Sequence, residues 1–189
     1  MTKELEIEFK NMLTKEEYSH LLSELNTAPI SQTNHYFDTA DFQLRDQKAA
    51  LRLRSIGNRF ECTLKTPAAS GNYETTDALS EDQAAAILDH QQFDAPEVSA
   101  ELERLGVSVS DLSLIGSLTT HRSETEYKGG LLVLDHSEYL GIEDYELEYE
   151  VADEAAGKQF FLSLLEEKQI PLRPSDKKIA RFMKAASQR

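Results

Sequence analysis

Glu4, Glu6, Glu8 and Lys10 alternate with Leu5, Ile7 and Phe9, and Glu146, Glu148 and Glu150 alternate with Leu147, Tyr149 and Val151. A β-strand sends successive side chains to opposite faces, so each run sets its charges on one side and its apolar residues on the other. Glutamate is depleted in strands, and like charges on one face repel, so solubility alone is a poor reason for two such runs. Arg52 and Arg54 share a face of a third run; Lys65, Arg122 and Lys178 add cations, and Asp135 adds a further acid. Clustered carboxylates suit Mg²⁺ or Mn²⁺, hard cations that take oxygen ligands. Arginine and lysine suit phosphate oxygens, and arginine can bind two at once. A polyphosphate carrying a divalent metal satisfies both sets.

The elements that must position these residues are legible as changes of period. Residues 3–10 read as a strand, and Thr14 with Glu17 forms a capping box for a helix through about Asn26, with Leu21, Leu22 and Leu25 as its stripe. Strands follow at 33–38, 49–55 and 59–66, the last two joined by Gly57-Asn58 as a hairpin. A shorter strand is expected at 72–77, a helix capped by Ser80 through about Gln91, and a second helix at 97–105. The last strands fall at 117–128, 131–136 and 144–151, with a Gly129-Gly130 turn, and helices at about 153–168 and 175–187 close the chain. Eight strands with inserted helices make an α+β fold with a predominantly antiparallel sheet. If the helices cover the apolar faces, the charged faces turn inward, and a closed eight-stranded sheet holds one small ligand.

Length and composition narrow the function classes. The chain has 189 residues, fitting one domain over 1–189, and 20 Lys+Arg against 34 Asp+Glu give a formal net charge of -14. That balance argues against a nucleic-acid partner and against docking on an anionic membrane. A single cysteine, Cys62, excludes an internal disulfide and a cysteine-based metal cluster. It shares the parity of Phe60 and Leu64, so it is expected beneath a helix. His35, His121 and His136 show no metal-ligand spacing and read as structural or solvated. The N-terminus, Met1 to Glu6, has no apolar signal region, and no apolar run is long enough to span a bilayer, so a cytoplasmic location is expected.

With these residues in view, the chain resembles the CYTH superfamily, the triphosphate tunnel metalloenzymes. Glu6-Ile7-Glu8-Phe9-Lys10 matches the N-terminal E-x-E-x-K signature, followed in order by Tyr36-Phe37-Asp38-Thr39, Arg52-x-Arg54, Lys65, Arg122, Asp135, Glu146-x-Glu148 and a basic C-terminal helix. The resemblance implies an eight-stranded antiparallel tunnel that binds a triphosphate with Mg²⁺ or Mn²⁺ and hydrolyses it. It implies Glu6, Glu8, Asp135, Glu146 and Glu148 as metal ligands, and Lys10, Arg52, Arg54, Lys65, Arg122 and Lys178 as substrate ligands, with Lys177 as the alternative to Lys178. Lys10, Arg54 and Glu148 are the implied catalytic residues. Asn72-Tyr73-Glu74 stands where relatives often carry Arg-x-Glu. Two other readings stay open: a class IV-like adenylate cyclase, and a polyphosphate or nucleotide binder without turnover.

Overall fold

The apolar sides of the alternating strands are covered by helices, and this decides which way the charges face. The computed structural model describes residues 3–25 and 27–188; Met1 and Thr2, at the start of the N-terminal segment read as lacking a signal, and Asn26, the expected helix end, lie outside the described residues. The strands are β1 (Lys3–Leu13), β2 (Ile30–Thr39), β3 (Ala50–Ile56), β4 (Arg59–Pro67), β5 (Asn72–Leu79), β6 (Leu112–Tyr127), β7 (Gly130–Tyr139) and β8 (Ile142–Val151). They close into an antiparallel barrel in the order β1-β5-β4-β3-β2-β6-β7-β8. The helices among the described residues are α1 (Lys15–Leu25), α2 (Gln43–Asp46), α3 (Glu81–Leu88), α4 (Pro96–Arg104), α5 (Glu154–Glu167) and α6 (Lys178–Ala186). The α+β barrel expected from the alternation is therefore the fold. No described helix is long and apolar enough to cross a membrane.

The chain divides into two compact units, one of Gln32–Leu118 with the first residues to Leu5, the other of Glu6–Ser31 with Thr119–Arg189. In the first unit, Leu51, Leu53, Cys62 and Leu64 of β3 and β4 pack with Ala84 and Ile87 of α3 and Val98 and Leu102 of α4. Each such leucine contributes roughly 1.5–3 kcal/mol by leaving water. Both helices start where a side chain takes up free backbone N–H groups. Ser80 and Gln83 form the expected capping box on α3, and Asp77 accepts from Val98 N of α4 at 2.9 Å. In the second unit, Leu134, Tyr145, Leu147 and Tyr149 of β7 and β8 pack with Tyr18 and Leu21 of α1 and Phe161 and Leu164 of α5. Thr14 and Glu17 cap α1 reciprocally, at 2.8 and 3.2 Å.

Three local features depart from the periodicity reading. β6 starts at Leu112, where the alternation suggested 117, because its first residues are weakly patterned. α3 ends at Leu88 instead of near 91, where His90 turns left-handed at φ 56°. α2 is a single turn, too short to show a period. It is held by Asp38, which accepts from Leu44 N at 2.9 Å and Arg45 N at 3.0 Å, so this part of Tyr36-Phe37-Asp38-Thr39 works as scaffold. At the β6–β7 turn, a Cβ on Gly130 would lie 2.5 Å from Glu150 O, so only glycine fits there.

Cys62 lies where its parity suggests, 1% exposed in the first unit's core, and burial pushes its thiol up to about 12. We expect labelling at pH 8 by a thiol reagent to be slower in the native protein than in urea by about three orders of magnitude, since the thiolate is the nucleophile. A native rate close to the unfolded one would remove Cys62 from the core.

Candidate active site

In the second unit the charges meet through strand register. Lys10 lies opposite Glu148 and Glu8 opposite Glu150 across β1 and β8, while Asp135 lies opposite Glu146 and Arg122 opposite Asp135. These residues share the face turned away from the helix-covered core, which in a closed barrel is the inner one. Their carboxylates fall into two groups of three. Asp135, Glu146 and Glu148 form one, and Glu6, Glu8 and Glu150 form the other, each with one oxygen per residue within 4.8 Å of the rest.

The first group is buried and met by cations from three elements. Arg122 grips Asp135 with two bonds, of 2.8 and 2.6 Å, and reaches Glu148 at 2.8 Å. Lys10 Nζ donates to Glu148 at 3.1 Å. Lys178, the first residue of α6, lies 2.8 Å from Asp135 and 2.7 Å from Glu146 and also bonds Glu148. Arg181, one turn along α6, binds Asp144 at 2.9 Å and Glu146 at 3.1 Å, and Ser175 donates to Glu146. Burial opposes charge on every member, yet the pairing prevails. Lys10, Lys178 and Arg122 hold Glu148 well below the usual carboxylate range, and Asp135, Glu148 and Glu146 hold the Lys178 ammonium well above its own.

In the second group, Lys10 lies 3.2 Å from Glu8. Burial pushes the Glu150 carboxyl up to about 7; Arg122 opposes this, while Glu6, Glu148 and Glu8 add to it. Three converging carboxylates, an all-oxygen cluster, fit a hard divalent cation.

In the first unit, β3 and β4 carry the other cations. Arg54 Nε donates to Asn34 at 2.9 Å, and its guanidinium lies 3.5 Å from Glu61. Lys65 lies 2.8 Å from Glu74, the acid of Asn72-Tyr73-Glu74. Burial raises the Glu74 carboxyl, but Lys65, Arg52 and Arg54 together bring it below its usual value. The buried Nε of Arg52 makes no hydrogen bond among the described residues, leaving a donor for an anion.

All the residues singled out by spacing thus lie on charged strand faces or at the start of α6, but their grouping differs from a single Glu6–Glu8–Glu146–Glu148 cluster. Glu150, which the resemblance did not imply as a ligand, joins Glu6 and Glu8; Glu4 is exposed. Lys178 meets Asp135, Glu146 and Glu148. Arg181, Ser175 and Asp144 were missed. Arg181 follows Lys178 by three residues, one helical turn, and that spacing was the available signal.

A CYTH domain family model matches residues 4–183. The chain belongs to the CYTH domain family. Within it, the chain is 44% identical over 187 residues to "Putative triphosphatase YjbK" of Bacillus subtilis, covering 96% of each sequence. It is 42% identical to a protein of Bacillus halodurans solved as a "putative adenylate cyclase", with a TM-score of 0.92 over 96% of this chain and 99% of that one. The Hippeastrum protein HpAC1, for which a dominant triphosphatase activity is stated, shares the fold at 22% identity, with a TM-score of 0.80 over 95% and 96% of the two chains.

The raised Glu150 carboxyl gives this CYTH domain a testable pH signature. Its native value, about 7, lies above its unfolded value near 4.5, so the native state keeps the proton longer. Stability is therefore lost as pH rises from about 4.5 to 7. Water reaching the partly exposed carboxyl screens part of the cost. We expect Glu150→Gln, in urea unfolding without divalent cations, to gain about 1–2 kcal/mol over wild type between pH 4.5 and 8. A constant difference across that range would contradict the assignment.

Proposed function

We propose that this protein hydrolyses a small triphosphate, inorganic or carrying a thiamine or nucleoside group, in a divalent-metal-dependent reaction. The observation that carries the reading is the convergence of two carboxylate trios, Asp135–Glu146–Glu148 and Glu6–Glu8–Glu150, with Lys10, Arg122, Lys178 and Arg181 bonded to the first. The similarity to "Putative triphosphatase YjbK" supports the reaction class.

Glu6, Glu8 and Glu150 would hold Mg²⁺ or Mn²⁺, because their oxygens converge within 4.8 Å and offer a hard cation oxygen ligands alone. When bound there, the metal supplies charge to the phosphate oxygens and acidifies water. Asp135, Glu146 and Glu148 are the other trio whose oxygens converge closely enough that they would hold such a cation.

The chain's own residues then do the positioning on which phosphoryl transfer depends. On the first unit, Arg52, Arg54 and Lys65 are the proposed phosphate ligands; on the second, Lys10, Arg122 and Lys178 are. The free Nε of Arg52 is ready for such a bond, whereas Arg54 and Lys65 trade Glu61 and Glu74 for the ligand. Glu148 orients Lys10, Arg122 and Lys178 by bonding all three. Water adds to the terminal phosphorus, the bridging oxygen leaves with the bonding electron pair, and the water's proton passes to bulk solvent. Lys10 and Arg54, each on its own unit, are the cations proposed to neutralise the charge that develops.

A phosphate-release screen across triphosphates with Mg²⁺ and Mn²⁺ tests the reading. We expect orthophosphate release from at least one, and a loss of about two orders of magnitude or more in Glu8→Gln and Glu148→Gln. Cyclic nucleotide with diphosphate would establish cyclisation instead, and tight binding without any turnover would establish a binding protein.

Arginine forks give a second test. Arg52→Lys and Arg54→Lys keep charge but lose the bidentate geometry. Each is expected to lower turnover at least tenfold while Mn²⁺ binding is retained. Unchanged turnover in both would remove β3 from the site.

A further inference from the structure

The outer face of β6, β7 and β8 carries a second constellation of ligating groups, unrelated to the charged inner face. His121 and His136 stand opposite each other on β6 and β7, and Glu138 stands opposite Glu143 on β7 and β8. His121 Nε2 lies 3.1 Å from Glu138, and His136 Nε2 lies 2.9 Å from Glu143. The nearest ligand atoms of His136, Glu138 and Glu143 all fall within 4.8 Å of one another. We propose that His121, His136, Glu138 and Glu143 form a binding site for a borderline transition cation, with zinc the best match.

The chemistry separates this site from the inner one. Two imidazoles with two carboxylates suit zinc, whereas Mg²⁺ and Mn²⁺ prefer oxygen alone. Four ligands at about 2.0–2.2 Å in a tetrahedron stand roughly 3.3 Å apart, close to the nitrogen–oxygen separations already present. The metal would bind Nε2 of the neutral tautomer that carries its proton on Nδ1, so each Nε2···O contact becomes an N–metal–O one.

The ligands are also held in place. The His136 ring stacks on Tyr145 at 4.7 Å and 15°, and Tyr18 tilts against it at 6.0 Å. Tyr145 donates to Glu143 at 2.9 Å, as the orienting partners of zinc carboxylates do. Among the described residues, Lys15, 3.5 Å from Glu143 and exposed, is a cation that must swing aside. The site joins three neighbouring strands. A bound ion would therefore tie together the strands that carry Arg122, Asp135 and Glu146 on their other face.

Calorimetric titration of Zn²⁺ into the full chain, in excess Mg²⁺ to occupy the oxygen sites, tests this. We expect one zinc site in wild type and in Glu8→Gln, with binding weakened at least a hundredfold in a His121→Gln, His136→Gln double variant. Glu138→Gln and Glu143→Gln, at half-exposed positions that the fold tolerates, should each weaken it as well, and Tyr145→Phe about tenfold. Zinc should also raise the melting temperature of wild type but not of the double variant. An unchanged isotherm in the histidine and glutamate variants, or loss of zinc binding in Glu8→Gln, would overturn the proposal, as would no zinc site in wild type. None of these readouts depends on turnover.

Discussion

Glu146, Glu148 and Glu150 project from one face of β8 at successive positions, and two of them are almost wholly enclosed. Each carboxylate removed from water without a partner costs several kcal/mol, and neighbours of like charge add to it. Everything else in the second unit answers that constraint. β1 brings Lys10, β6 brings Arg122, and α6 brings Lys178 and Arg181 from the far end of the chain. The compensation is strong at Glu146 and Glu148 and runs out toward Glu150. The inner face thus changes along β8 from saturated to acidic, and an ionic ligand can exploit both ends.

Such a charged face is tolerable only because its reverse side is robustly apolar. Leu147 and Tyr149 sit between the glutamates and are buried against α1 and α5, while Leu51, Leu53, Cys62 and Leu64 are buried by α3 and α4. A register slip of one residue would turn the glutamates into these cores and the leucines toward the ligand. Hydrophobic patterning and site chemistry therefore enforce the same register.

The strands and two helix starts were legible because their signals are local: strict alternation, the Thr14–Glu17 box, the Ser80 cap and the Gly57-Asn58 hairpin. The type and parity of the charged residues were legible for the same reason. Grouping was not. Whether Glu8 faces Glu146, Glu148 or Glu150 depends on the antiparallel register of β1 with β8, which nothing near Glu8 encodes. The His121–His136 pair was hidden likewise, since it arises across a hairpin and each histidine alone looks incidental. α2 escaped because it is one turn held by a distant capping side chain, Asp38.

The position of α6 bears on how the protein is made. Lys178 and Arg181 leave the ribosome after their carboxylate partners on β7 and β8. Until α6 emerges, the nascent chain lacks these two internal counter-ions, and solvent and dissolved cations must serve in their place. Completion of the acidic half thus waits on α6, and a chain cut before Lys178 keeps an electrostatic mark that distinguishes it from one that carries the helix.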